Sequence, residues 1–158
     1  MKIVSVIVSI AILVALQAGA QKKPQISESF IAAWNSHDVE RVVPVFTDDV
    51  LYEDVTFGAV NHGSEELRKF AASIFEAVPD VKFELVSSTV EKGHGTIEWV
   101  FTGTDKGLYK TGKRFSVRGV SVIDLRGGRI SRNLDFYDAA SIMRQLGLLP
   151  SEKTDPAK

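Results

Sequence analysis

Two aspartates carry the chemistry this sequence could perform. Asp135 lies in a predicted strand, Ile130 to Tyr137, where Asn133, Asp135 and Tyr137 alternate onto one face. A carboxylate on the inward face of a strand is costly to bury unless it is paired or used. Asp54 ends the run Tyr52-Glu53-Asp54, which closes a short predicted strand from Val50. A carboxylate becomes a useful general base when its surroundings raise its pKa, although Asp54 reads equally well as a loop cap. His62 precedes Gly63 at a loop-to-helix junction. It could shuttle protons at a pocket mouth, or simply cap the helix. Asp138 stands where a last helix begins and reads as its structural cap.

Several other chemistries are excluded. His37, His62 and His94 share no metal-ligand spacing, so no metal is expected. No cofactor is expected either. Gly107 to Arg114 nearly spells a phosphate-binding loop, but it ends in arginine, and a strand rather than a helix follows. Lys106 to Lys113 reads instead as a hairpin loop over a pocket rim. No GxSxG elbow is present, and the absence of cysteine removes thiol catalysis and disulfides. Net charge is −1 with acids and bases interspersed, and no basic block appears, so no nucleic-acid partner is expected.

The elements that must position the aspartates follow from periodicity. Helices are predicted from Ser27 as N-cap, with Ile26 and Ile31 as a hydrophobic staple and Phe30 and Trp34 inward. A short helix follows Asp38 and is weakened by Pro44. A third helix is capped by Ser64, carries Leu67, Phe70, Ala71, Ile74, Phe75 and Val78 as its apolar stripe, and ends at Pro79. Thr56 to Gly63 reads as a loop. Strands are predicted at Val81–Val90, Thr96–Thr102, Phe115–Leu125 and Ile130–Tyr137, joined by tight turns into an antiparallel meander. Gly147 and Pro150 close the last helix. Helices first and strands last argue for an α+β fold.

The ends are not part of that fold. Residues 1–20 read as a signal peptide, with Lys2, an apolar run from Ile3 to Leu16 and the cleavage pattern Ala18-Gly19-Ala20. Export to the periplasm or the extracellular space follows, with no membrane attachment after cleavage. Residues 21–26 form a polar segment, 27–150 the domain and 151–158 a polar tail.

Alternation divides the strand residues into two sets. One holds Ile97, Trp99, Phe101, Phe115, Val117, Gly119, Ser121, Asn133, Asp135 and Tyr137. The other holds Glu98, Val100, Arg118, Val120, Val122, Arg132, Leu134 and Phe136. Periodicity does not decide which set faces the helices. In the last strand it favours the second, because Ile130, Leu134 and Phe136 are apolar.

The segment Gly112 to Pro150, and more broadly Ser27 to Pro150, resembles the SnoaL-like family of the nuclear transport factor 2-like superfamily. That family includes polyketide cyclases and is related to ketosteroid isomerases and limonene epoxide hydrolases. The resemblance implies a cone of curved antiparallel sheet wrapped around N-terminal helices, with the first set inward and Asp135 as acid/base. It makes Asp54 the counterpart of the isomerase general base and Tyr52 that of a water-positioning tyrosine. It also places Phe30 and Ser121 where the isomerases hold their oxyanion donors, and Trp99 and Phe101 where the epoxide hydrolases hold an arginine and an aspartate. The implied pocket comprises Asp135, Asp54, Tyr52, Asn133, Trp34, Trp99, Phe101, Val117, Tyr137 and His62. The function it implies is cofactor-independent isomerisation, aldol cyclisation or hydration of a small apolar carbonyl compound. A non-catalytic module binding a small hydrophobic molecule is the alternative, and a protein–protein adaptor is a third. The apolar second set would then lie outside and implies a homodimer through that face.

Overall fold

The computed structural model describes residues 25–150. The expected signal peptide and tail lie outside the described residues. The chain forms helix α1 (Ile26–Trp34), a short α2 (Val39–Val42) that tightens into a 3-10 turn at Val43–Val45, and strand β1 (Phe46–Asp54). Strand β2 (Ala59–His62) leads into α3 (Gly63–Ala77). Strands β3 (Lys82–Glu91), β4 (His94–Thr104), β5 (Arg114–Arg126) and β6 (Arg129–Tyr137) follow, and α4 (Ala139–Leu146) ends the fold. One six-stranded sheet runs in the order β2-β1-β6-β5-β4-β3. Strands β3 to β6 form the expected antiparallel meander, whereas β1 pairs with β6 in parallel.

Several boundaries depart from the sequence reading. Helix α1 begins two residues early, with Gln25 rather than Ser27 at the N-cap: the Gln25 N–H donates to Glu28 Oε2 at 3.0 Å, while Ser27 is buried inside the first turn. Ile26 is therefore a helical residue rather than the outer half of a staple. The Thr56–Gly63 segment contains β2, which pairs with β1 as a hairpin. Its short length and exposed Val60 left little periodic signal. Position 62, not Ser64, precedes α3; the Ser64 hydroxyl donates to the Asp48 carbonyl at 3.2 Å. Asp38 and Asp138 do cap their helices, accepting from Glu40 N at 2.9 Å and Ser141 N at 3.0 Å.

The first set of strand residues faces the helices. Ile97, Trp99, Phe101, Phe115, Val117, Ser121, Asn133 and Asp135 are all buried. Ile130 is buried too, although its parity assigns it to the opposite set. The reason is a bulge: Asp124 pairs with Arg132 but Leu125 pairs with Ile130, so Ser131 is an extra residue in β6. An inserted residue switches the face of everything beyond it. The core therefore receives Ile130, Asn133 and Asp135 from one strand.

Helix α1 packs against β3 and α3 against β1. Asn35 fixes the end of α1 by a two-way amide contact with Phe83, donating to its carbonyl at 2.8 Å and accepting from its N–H at 2.7 Å. Trp34 is thereby held beside Phe83, with ring centres 5.9 Å apart. Across the sheet, Gly119 makes room for the Trp99 indole. A Cβ at position 119 would overlap that ring and come within 2.9 Å of the Phe136 carbonyl. Gly119→Ala is expected to cost about 1–3 kcal/mol through overpacking, read by chemical denaturation. An unchanged unfolding midpoint would contradict the packing described.

Candidate active site

Three rows of side chains cross the inner face of the sheet. Asp54 of β1, Asp135 of β6, Ser121 of β5 and Ile97 of β4 are successive register partners. On one side lie Tyr52, Asn133 and Ile123; on the other lie Tyr137, Gly119 and Trp99. Residues directly opposed on neighbouring strands point to the same face. The parallel β1–β6 pairing thus sets the two aspartates side by side, and both line one pocket.

Asp135 is 7% exposed. Its Oδ1 accepts from the Ser121 hydroxyl at 2.6 Å and from Asn133 Nδ2 at 2.8 Å, and its Oδ2 accepts from the Tyr52 hydroxyl. Ser121 Oγ in turn accepts from Trp99 Nε1 at 2.9 Å, which leaves its proton for Asp135. Burial pushes the Asp135 carboxyl up to about 6. The hydrogen bonds from Ser121, Tyr52 and Asn133 oppose that rise, and the charge of Asp54 adds to it. A carboxylate has about four acceptor sites. These three donors leave one for a guest.

Asp54 is just as little exposed. Its Oδ2 accepts from the Tyr137 hydroxyl at 2.6 Å and its Oδ1 from the Phe57 N–H at 3.0 Å. Burial raises its pKa, against hydrogen bonds from Tyr137, Phe57 and Thr56. Asp54 is therefore both the loop cap and a pocket carboxylate, two roles that the sequence left as alternatives. Burial and then the nearby carboxylates push the Tyr52 and Tyr137 hydroxyls upward, so both remain protonated donors at neutral pH.

Aromatic rings complete the walls. Trp34 of α1, Phe70 and Ile74 of α3, Phe83 of β3, and Trp99 and Phe101 of β4 face the carboxylates. Phe83 stacks on Phe101 with centres 5.0 Å apart and planes 7° from parallel, and Trp99 tilts against Tyr137 at 5.9 Å. The space left empty, open mouth included, is about 340 Å³.

Of the residues expected at the site, Asp54, Asp135, Tyr52, Trp34, Trp99, Phe101 and Tyr137 line this pocket. Asn133 is fully buried and orients Asp135 from the neighbouring row. Two expectations are corrected. Val117 is buried in the core but lies outside the lining, in the row beyond Gly119 and Trp99, where it pairs with Phe101. His62 is exposed at the start of α3, where its backbone N–H donates to Glu66 Oε2 at 2.6 Å; pairing in β2 turns it away from the pocket. Ser121, Phe70, Ile74 and Phe83 were missed as site residues. Phe70 and Ile74 share the apolar stripe of α3, and Ser121 has the parity of Asp135's neighbours, so their inward placement was readable, although the pocket that Phe70, Ile74 and Phe83 line and the Ser121 bond to Asp135 were not. Among the described residues no group of three or more His, Asp or Glu side chains is placed to hold a metal ion.

A SnoaL-like domain model matches residues 27–133. The chain belongs to the SnoaL-like family. A cyclase of Calcarisporium arbuscula, aurE, is 36% identical over 113 residues, covering 70% of this chain and 82% of that protein. Among solved structures, a protein with a ketosteroid isomerase-like fold from Catenulispora acidiphila, in complex with trimethylamine, superposes with a TM-score of 0.74. It is 27% identical and covers 84% of this chain and 99% of its own. TsrD of Streptomyces laurentii superposes at 0.70 with 25% identity, covering 78% of this chain and 93% of its own. The α+β cone expected from the sequence is thus the family fold, and the family supports a cyclase- or isomerase-type role.

The Asp135 ionisation should be visible in stability. The unfolded group titrates near 3.8 and the folded one near 6. Between these values the unfolded state releases its proton first, so this group's contribution falls as pH rises. The penalty is absent below the lower value and complete above the upper one, on the order of 3 kcal/mol. Asp135→Asn removes it. The stability of the variant relative to wild type should rise by that order between about pH 3.5 and pH 8 in urea titrations. A pH-independent difference would contradict the assignment.

Proposed function

We propose that the protein is an exported, cofactor-independent acid–base enzyme. Its substrate is a small apolar molecule bearing a carbonyl, which it isomerises, cyclises by aldol bond formation, or hydrates. The observation that supports this most is Asp135: a carboxylate raised to about 6, with a free acceptor site, on the floor of an aromatic pocket. A base of that pKa is mostly ionised at neutral pH yet still basic enough to take a proton.

In the shared first step Asp135 takes the proton from the carbon beside the carbonyl. The C–H electron pair forms the new C=C bond and the carbonyl π pair moves to oxygen, giving an enolate and a neutral Asp135. Isomerisation returns that proton to another carbon. Aldol closure lets the enolate carbon attack a second carbonyl of the same molecule, and the resulting alkoxide takes the proton back. Hydration alone departs from that step: a water oxygen adds to the carbonyl carbon as Asp135 takes one of the water's protons and the carbonyl π pair moves to oxygen, and the resulting alkoxide takes the proton back from Asp135. Asp54, with its raised pKa, is placed beside the reacting face as a second proton carrier.

Apolar side chains on the outer face support a homodimer. Val100, Val120, Val122 and Leu134 are only half-buried there, Phe136 is 40% exposed, and Arg118 lies 3.5 Å from Glu98 within the chain. Val120→Glu would place an unpaired charge in that contact. Light scattering should report dimers for wild type and monomers for the variant; monomeric wild type would remove the interface.

Deuterium incorporation beside the carbonyl of acetophenone, followed by NMR in D2O, tests the proton abstraction. Wild type should exchange those hydrogens faster than buffer, with a rate that rises through about pH 6, and Asp135→Asn should not. Tyr52→Phe removes a hydrogen bond that favours the ionised carboxylate. It should therefore move the acid limb to higher pH. Binding of acetophenone without any exchange would point to a binding module instead.

A further inference from the structure

The hydrogen bond from Ser121 to Asp135 runs in one direction only, and the side chain that fixes the direction is Trp99. Ser121 is fully buried on β5. A serine hydroxyl has one proton and two acceptor places and rotates to suit its partners, whereas an indole N–H can only donate. Trp99 Nε1 donates to Ser121 Oγ at 2.9 Å, so the serine cannot turn its proton back to the indole. That proton goes to Asp135 Oδ1 at 2.6 Å. Asn133 Nδ2 fills the second place on Oδ1 at 2.8 Å. With two donors on Oδ1 and the Tyr52 hydroxyl alone on Oδ2, the acceptor place left open belongs to Oδ2.

Trp99 reaches Ser121 from the neighbouring row. Its register partner is Gly119, and the indole lies in the space that a Cβ at position 119 would fill. Phe83 and Tyr137 hold the ring, with centres 5.3 and 5.9 Å away. A tryptophan needed for packing alone could satisfy its N–H on any acceptor; this one lands on the side chain that also bonds the carboxyl. We infer that Trp99 is a positioning residue of the site: its indole N–H, acting through the Ser121 hydroxyl, directs that hydroxyl's proton onto Asp135 Oδ1 and so keeps Oδ2 as the atom that accepts the substrate's proton. The inference rests on the reading of Asp135 as a base and adds which atom acts and what steadies it. Bonds in such a chain polarise one another, so the indole strengthens the Ser121 donor, and a stronger donor favours the ionised carboxylate. The titratable groups facing Asp135 are Asp54 and Tyr52 from β1 and Tyr137 from β6; α1, α3, β3 and β4 bring none to the pocket wall.

Two tryptophans give two indole N–H signals, so wild type can be read directly by 1H–15N NMR. As Asp135 ionises, Ser121 Oγ becomes a better acceptor. The Trp99 indole proton should move downfield with the midpoint of the Asp135 carboxyl carbon, near 6, and Asp135→Asn should abolish that midpoint. Replacing Trp99 by 3-benzothienylalanine exchanges the ring N–H for sulfur and keeps its shape. It should raise the Asp135 pKa by roughly 0.5, and the acid limb of acetophenone α-exchange should follow. Ser121→Ala should raise that pKa by roughly 1, and the Trp99 replacement should then add nothing further. Equal shifts with and without Ser121 would mean that Trp99 acts by its bulk and would overturn the inference. So would a wild-type Trp99 signal that ignores the Asp135 midpoint. If Ser121→Ala does not fold, the wild-type titration and the single replacement decide. The coupling is read without turnover: absent α-exchange beside an intact coupling would count against the enzyme and leave the control of the carboxyl by Trp99 standing.

Discussion

The structure turns on one buried carboxylate. Asp135 sits on the inner face of a sheet, among aromatic rings, with its hydrogen bonds supplied by a serine, an asparagine and a tyrosine, all neutral. An arginine or lysine in their place would hold the carboxyl low and make it a poor base; neutral donors keep it soluble in the core while burial holds its pKa up. The same arrangement costs stability whenever the group is ionised, as strained or desolvated functional sites commonly do. Tyr52, Asn133, Ser121 and, through Ser121, Trp99 all have positions that make sense in relation to this one side chain.

Sheet geometry is what brings them together. The donors come from β1, β5 and β6 itself, and only strand register can place residues so distant in sequence within hydrogen-bond distance. The parallel β1–β6 pairing aligns Asp54 with Asp135, and the antiparallel β5–β6 pairing aligns Ser121 with it. The Ser131 bulge lets one strand send Ile130 to the core at one end and two polar residues to the pocket at the other. Gly119 supplies the gap that the Trp99 indole needs in order to reach over to Ser121. The helices contribute the apolar half of the pocket, fixed by such anchors as the Asn35–Phe83 contact.

Much of this was legible in the sequence, for physical reasons that differ by element. The α3 stripe, the meander strands and the capping aspartates Asp38 and Asp138 are local signals, and they stand within a few residues of where they were read. Strand β2 was lost because four residues with an exposed valine leave no clear alternation. The parallel partnership of β1 and β6 joins residues about eighty positions apart, and nothing local encodes it. Alternation in β6 pointed to the wrong face because Leu134 and Phe136 are apolar yet lie on the outer face, and because the bulge at Ser131 turns Ile130 inward against its parity; resemblance to the family supplied the right one. Asp135 and Asp54 were readable as candidates, but their adjacency was not. His62 illustrates the opposite error: a chemically attractive residue beside a predicted loop that the β1–β2 hairpin carries to the surface.

The family supports a cyclase- or isomerase-type role, and the ionisation of Asp135 is the property on which the proposed acid–base reading rests. The most direct measurement is the carbon-13 chemical shift of the Asp135 carboxyl, followed by NMR across the pH range in the wild-type protein. The structure predicts an apparent pKa near 6. A value at or below the ordinary aspartate figure of about 3.9 would contradict a desolvated base and leave Asp135 as a structural residue of the core.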